Sequence, residues 1–197
     1  MLIVIASLGG GQGKTVTAVM LSAYFQSLGP TVLIDGDPNR SALKWSKKGK
    51  LSFDVISHTQ ALTYRKKTDY QVIDTKARPE PKDILDLVEG CDFMVVPSQP
   101  DGISLEKTVE TVRLLYSVKF TKFKALLTIV PPKPITDGED ARVAFQEAGA
   151  PLFKTDIRRF RAYQKAYEEG VPVNLSNHPK AAEAWSDYVK VAEELLR

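Results

Sequence analysis

The stretch GGGQGKT, residues 9–15, follows the apolar run 2–6 and precedes a segment with helical periodicity. A buried strand that leads through glycines into a helix directs backbone N–H groups toward phosphate oxygens at the positive end of the helix. In such a loop Lys14 would reach the β- and γ-phosphates, and the Thr15 hydroxyl would hold magnesium. The strict phosphate-loop pattern is not met, because Leu8 replaces its first glycine. The other interpretation is a glycine-rich turn that binds nothing.

The context favours nucleotide binding, since Gly-Lys-Thr, a buried strand and the first strand–helix turn occur together. The residues of this loop predicted to bind the nucleotide are Gly9, Gly10, Gly11, Gln12, Gly13, Lys14, Thr15 and Val16.

Short apolar runs alternate with longer helical patterns along the chain. Several runs are apolar at almost every position, which is typical of parallel strands covered on both faces. The predicted strands span residues 2–6, 31–35, 53–57, 70–74, 93–97 and 125–130, with a weaker one at 151–153. The pattern predicts an α/β fold with a doubly wound, mostly parallel sheet and helices on both faces, forming one domain over residues 1–197.

Composition excludes several classes of protein. Among 197 residues, 27 Lys and Arg face 24 Asp and Glu, so the net charge of +3 is too small to indicate a nucleic-acid partner by itself. The single cysteine, Cys91, excludes an internal disulfide and an all-cysteine metal cluster within one chain, and it points to a reducing compartment. No apolar run approaches the roughly 18 residues of a membrane span. We therefore expect a cytoplasmic protein without a membrane partner.

Three carboxylates stand where predicted strands end. Asp35 and Asp37 close the second strand, and Asp74 closes the fourth. Beside a phosphate loop, one carboxylate can hold magnesium through water and another can orient the water that attacks the γ-phosphate. A single Asp at such a place more often caps the next helix, but three around one glycine loop favour a functional site.

Four motifs in this order resemble the ParA/MinD ATPases over nearly the whole chain: the glycine loop, Asp-Gly-Asp-Pro at 35–38, DYQVIDT at 69–75 and VVPSQP at 95–100. The resemblance is to the short ParA type, without an N-terminal DNA-binding extension. It implies ATP and Mg²⁺ as ligands and a sandwich homodimer that forms with ATP, dissolves on hydrolysis and is stimulated by an adaptor protein. By position it implies that Lys14 and Thr15 hold phosphate and magnesium. Asp37 would contact magnesium and position the water, Asp35 would serve the switch and dimer region, and Asp74 would be the Walker B carboxylate.

The chain departs from this family at residue 9, where a signature lysine crosses the dimer in relatives and this chain has glycine. Loss of that lysine is a trait of the carboxysome-positioning branch called McdA, which this chain resembles. We predict that Lys154, on a basic helix after the weak strand, supplies the missing cation; alternatively it belongs to a basic surface.

Pro131 and Pro132 fall where relatives contact adenine, although a stiff surface loop is an equal interpretation. Residues 75–79, TKARP, also differ from the Asp-Thr-Pro-Pro common in relatives.

Two basic clusters can neutralise phosphates without reading bases, although a run of charge is by itself more often a solvated face. The resemblance to the ParA/MinD ATPases implies sequence-independent DNA binding, and hence association with the nucleoid. Residues 40–67 hold eight basic side chains against one acid, and residues 154–165 hold five against one.

Two other functions remain as alternatives, and a third is excluded. A plasmid or chromosome partition ATPase is the nearer alternative, and a metabolic ATP-dependent synthetase of the same fold is the more distant one. An iron–sulfur reductase is excluded, because Cys91 alone cannot supply its ligands.

Overall fold

Six parallel strands form one sheet in the computed structural model, which describes residues 1–197. The strands are β1 (Leu2–Ile5), β2 (Thr31–Asp35), β3 (Asp54–Ser57), β4 (Tyr70–Asp74), β5 (Phe93–Ser98) and β6 (Phe123–Leu127). Their order across the sheet is β3-β2-β4-β1-β5-β6. Strands β1, β2, β5 and β6 are buried at most positions, as expected for strands covered on both faces, whereas edge strand β3 is mostly half-buried.

Helices cover both faces of this sheet. They are α1 (Lys14–Gln26), α2 (Ser41–Ser46), α3 (His58–Ala61), α4 (Pro81–Val88), α5 (Gly102–Ser117), α6 (Asp137–Glu147), α7 (Ala162–Glu169) and α8 (Ala181–Leu195), with a 3₁₀ turn at Val173–Leu175. None of these helices combines the length and the apolarity that crossing a bilayer would require. The predicted doubly wound α/β fold is confirmed.

The alternation of side chains in β1 divides the core into two layers. Ile3 and Ile5 belong to a cluster of 25 buried residues built with α1, α2, α7 and α8, whereas Val4 and Ala6 belong to a cluster of 13 built with α4, α5 and α6. Successive residues of a strand point to opposite faces, so one central strand supports both layers. The carboxyl end of β1 is therefore fixed from both sides.

The topology places the glycine loop at the point where the strand order changes direction. β1 lies between β4 and β5, and the chain builds outward from it on both sides. Ligands of open α/β sheets bind in the crevice at the carboxyl ends of strands at such a point. The loop that follows β1 opens into this crevice.

Two predictions next to β6 are wrong in detail. Residues 151–153 do not form a regular strand; only Leu152 makes an isolated parallel bridge, to Ala125. The basic residues that follow do not begin a helix, because 157–159 continue along the edge of β6, where Ile157 N–H donates to the Leu127 carbonyl at 2.8 Å and Arg159 N–H to that of Val130 at 2.8 Å. The helix starts only at Ala162.

Candidate nucleotide-binding site

The glycine loop turns from β1 into α1 through left-handed backbone. Gly11 and Gly13 have φ of 73° and 76°, a conformation that favours glycine. Gly13 is the residue that precedes α1, and no side chain caps the first turn of that helix. The free N–H groups and the helix dipole together create a positive end that suits an anion.

Lys14, the first residue of α1, turns back over the loop. Its side chain is buried, and its Nζ donates to the Gly9 carbonyl at 2.8 Å. Burial lowers the pKa of Lys14, while Asp74 and Asp37 act in the opposite direction. The ammonium is thus held at the loop with no carboxylate as an ion-pair partner.

Asp74 closes β4 directly beside β1 and is completely buried. No donor meets full hydrogen-bond geometry at either of its carboxylate oxygens, although the Thr15 hydroxyl lies close enough to act on the group. Burial raises the pKa of Asp74 to about 7, and Asp35 and Asp37 push the pKa the same way, against the opposing effects of Thr15 and Lys14. A buried, unpartnered carboxylate is costly, and a nearby cation would offset that cost.

Asp35 and Asp37 connect the loops that follow β2 and β4. Asp35 is buried and accepts the N–H of Asp37 at 3.0 Å and the N–H of Leu43 at 2.9 Å, so it shapes the turn instead of facing the crevice. Asp37 is half-buried and accepts the N–H of Asn39 at 2.7 Å and of Ala77 at 3.0 Å. Asp37 is therefore held in place from both loops.

These elements enclose a cavity of about 170 Å³, which we call the front cavity. Its lining residues are Gly11–Val16, Asp37, Thr75 and Ala77. Asp74 lies next in sequence to Thr75, beneath this lining. The structure thus brings the glycine loop, Asp37 and the end of β4 together, as the sequence analysis expected.

The donor set at the front cavity suits magnesium. The chain holds no group of three His, Cys, Asp or Glu residues that would form a metal site of protein ligands alone. Magnesium usually keeps several waters and takes one or two carboxylates together with phosphate oxygens. The Thr15 hydroxyl, Asp37 and the unpartnered Asp74 carboxylate fit that requirement.

A second cavity, of about 350 Å³, opens on the other side of Gly13 and is called the side cavity here. Residues 157–160, Ile129 and Tyr163 form much of its wall. Ile129 has a φ of 56°, which is unusual for a β-branched residue and marks a strained turn at this wall. The position, size and partly apolar lining suit a nucleobase.

The side cavity is not lined by Pro131 or Pro132, so their contact with adenine stays a prediction. Lys154 is also not at the carboxyl edge of the sheet. Its N–H donates to Glu194 at 2.9 Å, and Glu194 pairs with Lys124 in the first half of β6. The premise that Lys154 stands nearest the strand end is wrong, because Arg158 and Arg159 reach that edge instead.

Sequence reasoning missed how Gln12 is placed. Its side chain is buried against Gly9, where a Cβ would lie 1.8 Å from Gln12 Nε2. Ser7 Oγ donates to Gln12 Oε1 at 2.5 Å, which holds the amide in this position. Gln12 therefore occupies the space into which a side chain at residue 9 would begin. No pattern in the sequence signals this contact.

Comparison with known proteins agrees with the fold and the glycine loop. Residues 3–173 match the family model described as the CobQ/CobB/MinD/ParA nucleotide binding domain. The chain is 33% identical over 195 residues to the maintenance of carboxysome distribution protein A of Gloeobacter kilaueensis, covering 95% of this chain and 90% of that protein.

Two solved structures share the fold. One is a complex of a Cyanothece McdA variant with ATP, at a TM-score of 0.79 and 17% identity, covering 99% of this chain and 95% of that one. The other is the cell division protein MinD of Aquifex aeolicus, at 0.77 and 18% identity, covering 99% and 96%. The chain belongs to the CobQ/CobB/MinD/ParA family of nucleotide-binding domains.

Proposed function

We propose that this chain is an ATPase that dimerises with ATP, binds DNA without sequence preference and positions carboxysomes through an adaptor protein. The observation that carries the ATPase is the front cavity, where an uncapped helix end and Lys14 face Asp37 and the buried Asp74. The cargo is supported by the name of the Gloeobacter relative, at 33% identity over nearly the whole chain. Residues 1–197 would act as one ATPase domain.

The glycine loop would bind the triphosphate. Backbone N–H groups of the first turn of α1 would donate to phosphate oxygens, and Lys14 would move its ammonium from the Gly9 carbonyl to the β- and γ-phosphates. Mg²⁺, held by Thr15, Asp37 and Asp74, would neutralise charge on these phosphates. The buried carboxylate would then have the cation that its surroundings lack.

Asp37 would orient the attacking water. Each of its oxygens accepts one backbone N–H, which leaves lone pairs free for a water molecule in the cavity. The water would attack the γ-phosphorus as the bond to the leaving ADP oxygen breaks, giving ADP and phosphate. Asp35, which holds the Asp37 N–H, would be a positioning residue.

DNA binding is supported by basic side chains around α2 and edge strand β3. Seven of them are exposed and form no ion pair: Arg40, Lys44, Lys47, Lys48, Lys50, Arg65 and Lys67. Of these, Lys48 donates to backbone carbonyls of α7. In the second basic cluster, two side chains form ion pairs within the chain: Arg158 pairs with Asp187, and Lys165 pairs with Glu168 and Glu169. We therefore assign the DNA contact, and with it nucleoid association, to the first cluster.

The test is binding to two unrelated DNA duplexes, with ATP, with ADP and without nucleotide, at several salt concentrations. Binding should need ATP, be equal for both duplexes and weaken steeply with salt. The double variant Lys44→Ala/Lys47→Ala should lower the salt slope by about two, one for each lost phosphate contact. Lys180→Ala is the control, because Lys180 is exposed but pairs with Glu183.

Tight binding without nucleotide, or a preference for one duplex, would contradict the DNA assignment. Robust ATP turnover that requires a small carboxylate substrate and ignores DNA would favour the synthetase alternative. Co-purification of the labelled chain with carboxysomes only when an adaptor is present would support the cargo.

A further inference from the structure

The front cavity is short of positive charge for a triphosphate. Among its lining residues Lys14 is the one cation, while Asp37 adds a negative charge and Asp74 lies beneath. The terminal phosphates and a divalent cation together remain anionic, so two carboxylates and one ammonium leave the site electrostatically unbalanced. A second cation from the chain would stabilise the bound triphosphate, and most of its effect would fall on the γ-phosphate.

Arg78 belongs to the loop that lines this cavity, but its own side chain lies on the outer side of the glycine loop. The preceding residue, Ala77, lines the cavity and donates its N–H to Asp37. The Arg78 side chain lies against the glycine loop, with its Nε 3.3 Å and its Cγ 3.4 Å from the place of a Cβ on Gly10. On this outer side of the loop it lines a cavity of about 420 Å³ together with Gly9, Gly10 and Gln12.

The other cations near Arg78 already have acidic partners. Lys76 pairs with Asp83 at 2.7 Å, and Lys107, on the far wall of the same outer cavity, pairs with Glu110 at 2.8 Å. Arg78 forms no ion pair and is exposed. Its backbone has a φ of 49°, a conformation that residues without a special reason rarely adopt. The guanidinium is therefore the uncommitted positive group at this loop.

We propose that Arg78 is a phosphate-binding residue that contacts the terminal phosphate of ATP bound to the same chain, and that it makes the chain distinguish ATP from ADP. This inference rests on the proposed function. The planar guanidinium presents paired N–H groups that match phosphate oxygens. Because Ala77 is tied to Asp37, binding of Arg78 to the γ-phosphate would also fix the loop that holds Asp37.

The test is calorimetric titration of the parent protein, Arg78→Ala, Arg78→Lys and Lys76→Ala with Mg²⁺ plus either ADP or a non-hydrolysable ATP analogue. Arg78→Ala should weaken binding of the analogue about tenfold to a hundredfold, as for loss of a charge-assisted hydrogen bond, and change ADP affinity less than threefold. Arg78→Lys should recover part of the loss. Lys76→Ala, with the same charge change two residues away, should leave the ATP/ADP ratio unchanged.

Equal affinities of the parent and Arg78→Ala for the analogue would overturn this inference alone, and so would an equal loss for analogue and ADP. A loss of the same size in Lys76→Ala would also overturn it, because the effect would then be one of general charge. If the parent bound neither nucleotide, the proposed function and this inference would fail together. Unchanged ADP affinity in Arg78→Ala serves as the check that the variant is folded.

Discussion

The two sides of the glycine loop differ in the kind of polar group that they bury: ionisable side chains on the front side and neutral ones on the outer side. On the front side, Lys14 and Asp74 are buried as potential charges, and neither has an ion-pair partner. On the outer side, the buried polar groups are neutral: Gln12 packs on Gly9 and accepts a hydrogen bond from Ser7, and only its Nε2 lacks a partner. An unpaired buried charge costs far more than an unpaired neutral donor.

This difference indicates where the ligand belongs. A fold retains an expensive arrangement where binding supplies the missing partner, and functional sites are where such local conflicts are expected. On the front side Lys14 bonds only to the Gly9 carbonyl, and no cation is bonded to Asp74. On the outer side, Gln12 is a neutral amide, Lys107 is paired with Glu110, and Arg78 lines a cavity of about 420 Å³.

The largest expected effect concerns Asp37 on the front side. Asp37→Ala should lower the ATP turnover number by about 100- to 1,000-fold, because the attacking water loses its orienting group. Affinity for ATP should change much less, and steady-state hydrolysis combined with nucleotide titration separates the two effects. Asp37→Asn keeps an acceptor for one of the two backbone N–H groups, so it preserves more of the loop contacts than Asp37→Ala does. Asp86→Ala removes an exposed carboxylate and controls for charge. Parental turnover in both Asp37 variants would remove this residue from the chemistry.

A second prediction concerns the cost of burying Asp74. The raised pKa of about 7 means that the folded protein keeps the proton between about pH 4 and pH 7, whereas the unfolded chain releases it. The parent should therefore lose stability as pH rises through this window.

The amide of Asp74→Asn does not ionise, so this variant avoids the cost of a buried carboxylate. Without nucleotide at pH 8, its free energy of unfolding should be about 2–4 kcal/mol higher than that of the parent. Near pH 4 the difference should be small. Urea unfolding at both pH values measures it, with Asp86→Asn as the surface control. A difference that does not vary with pH would mean that the Asp74 carboxylate is paired or hydrated in solution.

The smallest effect is expected on the outer side. Gly9→Ala should destabilise the chain by about 1 kcal/mol, because the new Cβ displaces the Gln12 amide and breaks its hydrogen bond with Ser7. In a Gln12→Ala background the same substitution should cost close to nothing. A double-mutant cycle by urea unfolding measures this coupling. Additive effects would show that residues 9 and 12 are independent.

The sequence was sufficient to predict features that depend on local pattern. Buried parallel strands are continuous apolar runs, so β2 and β4 were predicted with the bounds that the structure gives them. The carboxylates at strand ends follow from the same logic, since parallel strands end at one edge. The sequence therefore predicts Asp37 beside the glycine loop, and Asp37 lines the front cavity together with that loop.

Features that depend on distant pairing could not be predicted. The basic run after Phe153 suggested a helix, but its backbone groups pair with β6 first, and no local pattern records that ladder. A helix that began directly after Phe153 would leave Lys154 at the end of the preceding strand, but the helix begins only at Ala162. The contacts of Gln12 with Gly9 and of Arg78 with Gly10 are likewise set by side-chain packing, which sequence spacing does not encode.

Calorimetric titration of Mg²⁺–ATP into the parent and into Lys14→Ala tests the central claim, that the front side of the glycine loop binds a triphosphate. Lys44→Ala, an exposed lysine on α2, is the matched control. The account predicts parental affinity for Lys44→Ala and a loss of at least about a hundredfold for Lys14→Ala, because a buried ammonium bonds directly to phosphate oxygens. Native affinity in Lys14→Ala, with the parent binding ATP normally, would contradict the assignment of the loop.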